Sequence, residues 1–364
     1  MPRSINNTSY RGSSTVAKFC YTIIIAFVCY AVVFIVKNTL ENHNAESMES
    51  YEFSNYIKKY KKTYNSSEYF RRQKIFERAS KDIERLNQME NISIDVDIYG
   101  YTKYTDWTSY EFEKNMLLQN TTPISLCKKE TREPKPLNQR LLENLPQVVD
   151  WRSKGIIGPI VDQKMCRGCW AITVTGATET MVAVDLQKNG TFQHLNLLSI
   201  QELIDCSKVN DGCRGGKPST AVNYLINNKI PIVSQLEYPL KLVDEPCKLH
   251  GHPSGVLIKQ YKELCNNDEE VMLRHLADVG PLIAAVNAKL WQHYSGGVIR
   301  QGCLGNEGYL NHVILIVGYN LTAPVPYYII KNSWGVDYGD HGYVKVAIGG
   351  NVCGIADEVS YIIV

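Results

Sequence analysis

Gln163-Lys164-Met165-Cys166-Arg167-Gly168-Cys169-Trp170 is the stretch on which the reading of the chain turns. A C-x-x-C spacing suits a dithiol redox pair, half of a zinc site, or a nucleophilic thiol beside a structural cysteine. Residues far downstream separate these. His312 and the block Asn332-Ser333-Trp334-Gly335 add a base, a group to orient it and an indole. A dithiol oxidoreductase needs Cys166 and Cys169 to pair with each other. A zinc site would take Cys169 as a ligand and leave His312 and Asn332 without a role. Alone, each residue has a plain structural explanation: a buried cysteine, a core or surface histidine, a turn asparagine. In this order and with these neighbours, they point to nucleophilic catalysis.

The 364 residues have room for about two domains, and 44% hydrophobic composition suffices for sizeable cores. Lys plus Arg number 39 against 37 acidic residues, so no basic patch argues for nucleic acid as a partner. Phe19 to Val36 carry no charge, near the minimum for a bilayer span, and Arg3, Arg11 and Lys18 precede them. This reads as a cytoplasmic tail over 1–18 and a membrane segment over 19–36. The absence of a small-x-small site favours a signal anchor over a cleaved signal peptide. The positive-inside rule then sends the remainder to the lumen, as a single-pass type II precursor. Eight of the eleven cysteines follow residue 160, a density suited to an oxidising compartment. Sequons at Asn65, Asn91, Asn120, Asn189 and Asn320 are candidate glycosylation sites there.

Residues 49–118 carry a charged helical pattern with Tyr56, Tyr60, Tyr69, Ile75, Phe76, Ile83 and Leu86 at three- and four-residue spacings. Residues 119–144, with Pro, Thr and charge but no periodicity, read as an exposed linker open to proteolysis. The segment 145–364 is the most strongly patterned. A helix is expected from Trp170 to about Gln187, with Ala171, Val174, Ala177, Met181 and Val184 on one side and Cys169 at its N-terminus. Shorter helices are expected over 199–206 and 268–279. Strands are expected over 282–286, 313–319, 327–331 and 343–348, so that a helical half precedes a mainly β half.

Leu145-Pro146, Asp150-Trp151-Arg152, Gln163-x-x-Cys166-x-x-Cys169-Trp170, Gly212-Cys213-Arg214-Gly215-Gly216, Asn311-His312-Val313 and Asn332-Ser333-Trp334-Gly335 together resemble the mature domain of papain-like cysteine proteases. Trp291-Gln292, Gly296-Gly297 and Asn351-Val352-Cys353-Gly354-Ile355-Ala356-Asp357 are similar to one branch of that family. The upstream helix resembles the family's inhibitory prodomain through Glu68-x-x-x-Arg72-x-x-x-Phe76 and Ile83-x-x-x-Asn87. Ala79 stands where Asn is usual, and Gly100-x-Thr102-x-Tyr104-x-Asp106 follows with one polar and one aromatic exchange.

The resemblance implies an α+β, two-domain papain-like fold with its cleft at the domain junction, and an endopeptidase made as an autoinhibited zymogen. It implies Cys169 as nucleophile, His312 as base, Asn332 as the group that orients the ring under the cover of Trp334, and Gln163 with the Cys169 N–H as oxyanion donors. It also implies disulfides joining Cys166 to Cys213, Cys206 to Cys247 and Cys303 to Cys353. Cys127 and Cys265 stay unassigned, and His250, His252 and His341 receive no role. For substrate, Gly215 and Gly216 are expected to pair with its backbone. Lys217, Pro218, Ala285 and Val313 border the S2 pocket, with Glu358 at its far end. Glu358 would admit basic P2 residues unless Lys217 cancels it. Implied partners are protein and peptide substrates, the chain's own prodomain, cystatin-like inhibitors and the membrane; no cofactor and no metal is implied. Arg167, Tyr338 and Val313 depart from the family's usual Gly, Trp and Ala. Through Arg167 in particular they leave a catalytically weak binding protein on the same scaffold as the rival function.

Overall fold

The longest apolar helix after residue 100 forms where the sequence places it, but it is buried on nearly every side rather than along one stripe. The computed structural model describes residues 51–90, 97–119, 142–251, 253–264, 268–301, 303 and 310–364, together with Tyr30, Ala31, Phe34, Ile35 and Lys37. These fall into two compact units divided between Tyr69 and Phe70. Among the described residues no helix is long and apolar enough to cross a membrane. Most of the span expected over 19–36 lies outside the described residues, as do nearly all of the linker expected over 119–144 and Asn91, Asn120, Cys127 and Cys265.

In the first unit, residues 51–59 are helical. Phe53 and Tyr56 are buried, and Phe53 meets Tyr69 edge-on at 5.1 Å. Asn65 starts the next helix, α1 (Ser66–Met89), by accepting from the Glu68 N–H at 2.9 Å.

In the second unit, α1 buries Phe76, Ala79, Ile83 and Leu86. Asn87 makes two hydrogen bonds to the backbone of Tyr99, which fixes the chain leaving the helix. Helix α2 (Ser109–Met116) opens with a capping box between Thr108 and Glu111. The Arg72 guanidinium donates to both Glu111 oxygens at 2.9 and 3.0 Å, and Arg71 joins it at 2.9 Å, so α1 and α2 are held by one carboxylate.

The remainder is built around α3 (Cys169–Lys188), with α4 (Ile200–Cys206), α5 (Pro218–Asn228) and α6 (Glu269–Asp278). Its strands are β1 (Val148–Asp150), β2 (Gln260–Leu264), β3 (Leu282–Val286), β4 (Val298–Ile299), β5 (His312–Asn320), β6 (Tyr327–Lys331), β7 (Tyr343–Ala347) and β8 (Val359–Ile363). They form one sheet in the order β2-β8-β3-β5-β6-β7-β4, with β1 also paired to β5. The helical and β halves are therefore interlaced rather than simply sequential: β1 precedes the helices yet belongs to the sheet, and the C-terminal β8 lies between β2 and β3.

Strand β5 is the wall between two cores. Ile314 and Ile316 face one, with Trp291, Trp334 and Tyr338. Val313, Leu315 and Val317 face the other, with Trp170, Ala171 and Val174 of α3. Burial of both faces explains its uninterrupted apolar run. Disulfides join Cys166 to Cys213, Cys206 to Cys247 and Cys303 to Cys353.

The Thr108 N–H, Arg72 and Arg71 hold the Glu111 carboxyl down at about 2 despite its partial burial. A depressed acid contributes stability that is complete above its ordinary value near 4.5 and lost as pH falls through 2. Glu111→Gln is expected to raise amide exchange of α2 at pH 7 by roughly tenfold or more, the loss of a charge-assisted pair. Below about pH 2 variant and wild type should exchange alike.

Candidate active site

Cys169 opens α3, with Gly168 as N-cap, and His312 opens β5. Helix-against-strand packing brings these chain segments together: Thr173 donates to the Val313 carbonyl at 3.3 Å, and the Val313 N–H lies near enough to the Cys169 sulfur to favour its charged form. The His312 ring is buried, with Nε2 2.7 Å from Oδ1 of Asn332. A carbonyl oxygen only accepts, so Nε2 carries the proton and Nδ1 keeps a lone pair. Nδ1 has no hydrogen-bond partner among the described residues. Trp334 lies over the imidazole at 4.7 Å between ring centres and covers its bond to Asn332. The indole N–H of Trp334 is likewise buried without a partner.

Gln163 is held from two sides. Its N–H donates to the Ser333 carbonyl at 2.8 Å and its Oε1 accepts from the Ser333 hydroxyl at 2.6 Å. The side-chain NH₂ is thereby aimed outward, and it donates at 3.0 Å to the backbone carbonyl of Met116, at the end of α2. Ser333 lies inside the Asn332–Gly335 block, and its service to Gln163 arises only in three dimensions, across 170 residues of chain.

Beyond Met116, the Leu118 N–H donates to the Asn311 carbonyl at 2.7 Å. The Leu118 side chain packs toward Gly215, where an added Cβ would stand 3.1 Å from it. Gly215 also has a φ of 129°, which disfavours any side chain. Gly216 is glycine for a different reason: a Cβ there would meet the Trp170 ring at 2.7 Å. Ala285 and Val313 are cross-strand neighbours, and the Ala285 N–H donates to the Glu358 carbonyl. Lys217 feels the Glu358 carboxylate, although burial outweighs that attraction and lowers its pKa. Pro218 is the first residue of α5, and Arg167 lies half-buried beside Met165 in a hollow lined also by Tyr110 and Glu113 of α2.

The segment around Gly100–Asp106 docks on residues 291–295. Thr102 donates to the Gln292 carbonyl at 2.6 Å, and the Gln292 amide donates to the carbonyls of Tyr104 and Trp107. Tyr104 packs against Trp334 and Tyr338, and Phe112 meets Trp334 edge-on at 5.3 Å. Thr102, Tyr104 and Tyr338, three of the departures from the family pattern, thus fall in one contact.

This cover changes the electrostatics. Burial pushes the Cys169 thiol up to about 12, against the N–H groups of Val313, Trp170 and Cys169 and the charge of Arg167. Burial also drives His312 down to about 4, with the Asn332 bond opposing. Under this cover burial disfavours the charged form of both groups, and so opposes the thiolate–imidazolium pair that attack by Cys169 with His312 as base would require.

The geometry defines a cleft with a thiol, an imidazole and an amide donor, closed by the chain's own upstream segment. The chain belongs to the papain family of cysteine proteases: residues 145–363 match the family model described as "Papain family cysteine protease". Residues 53–112 match the "Cathepsin propeptide inhibitor domain (I29)". It is similar to cathepsin O of Homo sapiens, 41% identical over 61% of this chain and 67% of that protein. Cathepsin O of Mus musculus is 39% identical over 62% and 71%. Among solved structures, the digestive procathepsin L2 proteinase of Tenebrio molitor superposes with a TM-score of 0.71 at 29% identity, covering 87% of this chain and all of that one. The chain is thus a cysteine protease and a hydrolase, carrying an intramolecular propeptide inhibitor.

Alkylation by iodoacetamide checks the neutral state. With the thiol near 12 and buried, the zymogen is expected to react with Cys169 at least about a hundredfold more slowly at pH 6 than the processed enzyme. Equal rates would refute it.

Proposed function

We propose that the protein is an endopeptidase, made as a zymogen, in which Cys169 attacks peptide carbonyls. The observation that carries this is the Gln163 amide, already bonded to a backbone carbonyl beside the buried thiol. With the prosegment gone, water reaches the pair, His312 Nδ1 takes the thiol proton, and the start of α3 and the Val313 N–H favour the resulting thiolate. The thiolate adds to the substrate carbonyl, and the oxyanion accepts from Gln163 Nε2 and the Cys169 N–H. Imidazolium then protonates the departing amine, and water hydrolyses the thioester. Asn332 keeps the ring in the tautomer this sequence needs.

Cys169→Ala is expected to abolish peptide hydrolysis, and Gln163→Ala to lower kcat by on the order of a hundredfold with KM little changed. An epoxysuccinyl thiol probe should label Cys169 after acid processing; a processed chain that resists it would refute the reading.

For the S2 pocket, Leu118 supplies a guide: the prosegment lays an apolar side chain against Gly215. The attraction between Lys217 and Glu358 supports cancellation of the acid rather than its availability to a substrate. Peptides with P2 Leu are therefore expected to be cut faster than those with P2 Arg. Glu358→Ala should move that ratio by less than about fivefold, as for a partly exposed pair. A larger fall in P2-Arg cleavage would show that Glu358 holds basic residues.

The same reading includes delivery to a lumenal, lysosome-like or extracellular compartment by the segment 19–36, as anchor or cleaved signal, for protein degradation. Cleavage within 119–144, a mature start near Leu145, a catalytic domain over 145–364 and inhibition by cystatin-like proteins complete it. Asn65 and Asn189 are exposed and suit a glycan, and Asn320 is half-buried; the Oδ1 atoms of Asn65 and Asn320 accept from their own turns, which leaves the amide nitrogens for the sugar. Mass spectrometry of the mature N-terminus and of sequon peptides checks these assignments.

A further inference from the structure

We propose that Asp162 and Asp337 form an anionic subsite on the leaving-group side of the cleft, selecting lysine or arginine in the primed half of the substrate. Lys103 of the prosegment fills it in the zymogen. This rests on the protease reading above. The Lys103 ammonium lies 2.6 Å from Oδ2 of Asp162 and 3.3 Å from Oδ1 of Asp337. Its side chain is only 17% exposed, against 36% and 54% for the two acids, so the lysine is a guest sunk into a site whose walls face solvent.

The walls leave room for it. Gly335, at φ +82°, stands between the acids. A Cβ there would lie 3.1 Å from the ammonium, 2.9 Å from Asp337 Oδ1 and 3.1 Å from Asp162 Oδ2. Any side chain at 335 would intrude on the space the cation occupies. The ammonium also lies 5.5 Å from the centre of the Tyr104 ring.

Chain order gives the side. Leu118 is at Gly215, the acyl-side wall, and the Met116 carbonyl is at the Gln163 amide. Upstream of Met116, α2 covers Trp334 through Phe112. Lys103 lies upstream of all three in the chain and pairs with Asp337, three residues past Trp334, which assigns it to the leaving-group side. The acids sit on the two loops that carry the site: Asp162 precedes Gln163 and bridges to Trp334, and the Gly335 N–H donates to Val161. A substrate running opposite to the prosegment would bring a primed side chain to the place Lys103 vacates.

The test uses enzyme processed from the full chain and internally quenched peptides identical except for one primed-side scan of Lys, Ala and Glu, assayed at about pH 6. Wild type is expected to show kcat/KM for the best Lys peptide on the order of tenfold above its Glu counterpart, the sum of two partly exposed pairs. The Asp162→Asn/Asp337→Asn double variant, which keeps the Asp162 acceptor for the Lys164 N–H, should bring the ratio to within about twofold. A flat scan in wild type, or a ratio the double variant leaves intact, overturns the subsite. Cleavage of a P2-Leu aminomethylcoumarin amide by wild type, which involves no primed residue, reports the protease reading separately. A flat scan with that amide cleaved refutes the subsite alone, and failure to cleave any substrate refutes both.

Discussion

The seating of α3 against β5 is the contact on which everything else depends. Cys169 comes from the first turn of one and His312 from the first residue of the other. Neither side chain could be held by its own segment. The helix has no exposed face before its last turn: Trp170, Ala171, Val174 and Ala177 pack toward a sheet whose central strand is itself buried on both sides. In a close-packed interior small shifts of one element are resisted by all its neighbours, which is what a reaction geometry needs. Gln163 and Asn332 inherit that rigidity, since Ser333 fastens the first and sits next to the second.

Onto this frame the prosegment adds a chain laid opposite to the proposed direction of a substrate. It blocks in two ways at once. Its carbonyl at Met116 takes the amide donor of Gln163, and beneath it the thiol and imidazole lie buried, which disfavours charge on either. The block is anchored away from the thiol, by hydrogen bonds between Gln292 and the carbonyls of Tyr104 and Trp107 and by the aromatic cluster around Trp334.

Much of this was legible in the sequence, for reasons that can be named. Strands β3 and β6 fall on the expected residues, because Leu282–Val286 and Tyr327–Lys331 are short β-rich runs between turn signals. β2 was not, since Gln260-Tyr-Lys-Glu-Leu has only one fully apolar side chain and gains its place by pairing with β8, nearly a hundred residues away. α5 hides in a run with Pro, Ser, Thr and Asn, and α3 reads as one-sided because its threonines and Glu179 look like solvent residues although they are buried. Cys169, His312, Asn332 and Gln163 stood out as a set through their flanking residues. The disulfide partners came only with the family resemblance. Ser333, Asn311 and Gln292 act through contacts that no local pattern announces, across separations of up to 190 residues.

The disulfide between Cys166 and Cys213 has a consequence for how the chain must be made. Only two residues separate Cys166, which has to be oxidised, from Cys169, which has to stay a free thiol. Exchange between them would need a thiolate at Cys169, because only the thiolate attacks a sulfur–sulfur bond. Burial under the prosegment withholds that thiolate. In the folded zymogen the inhibitor is thus also a protecting group in the chemist's sense, shielding the Cys166–Cys213 bond from the free thiol beside it.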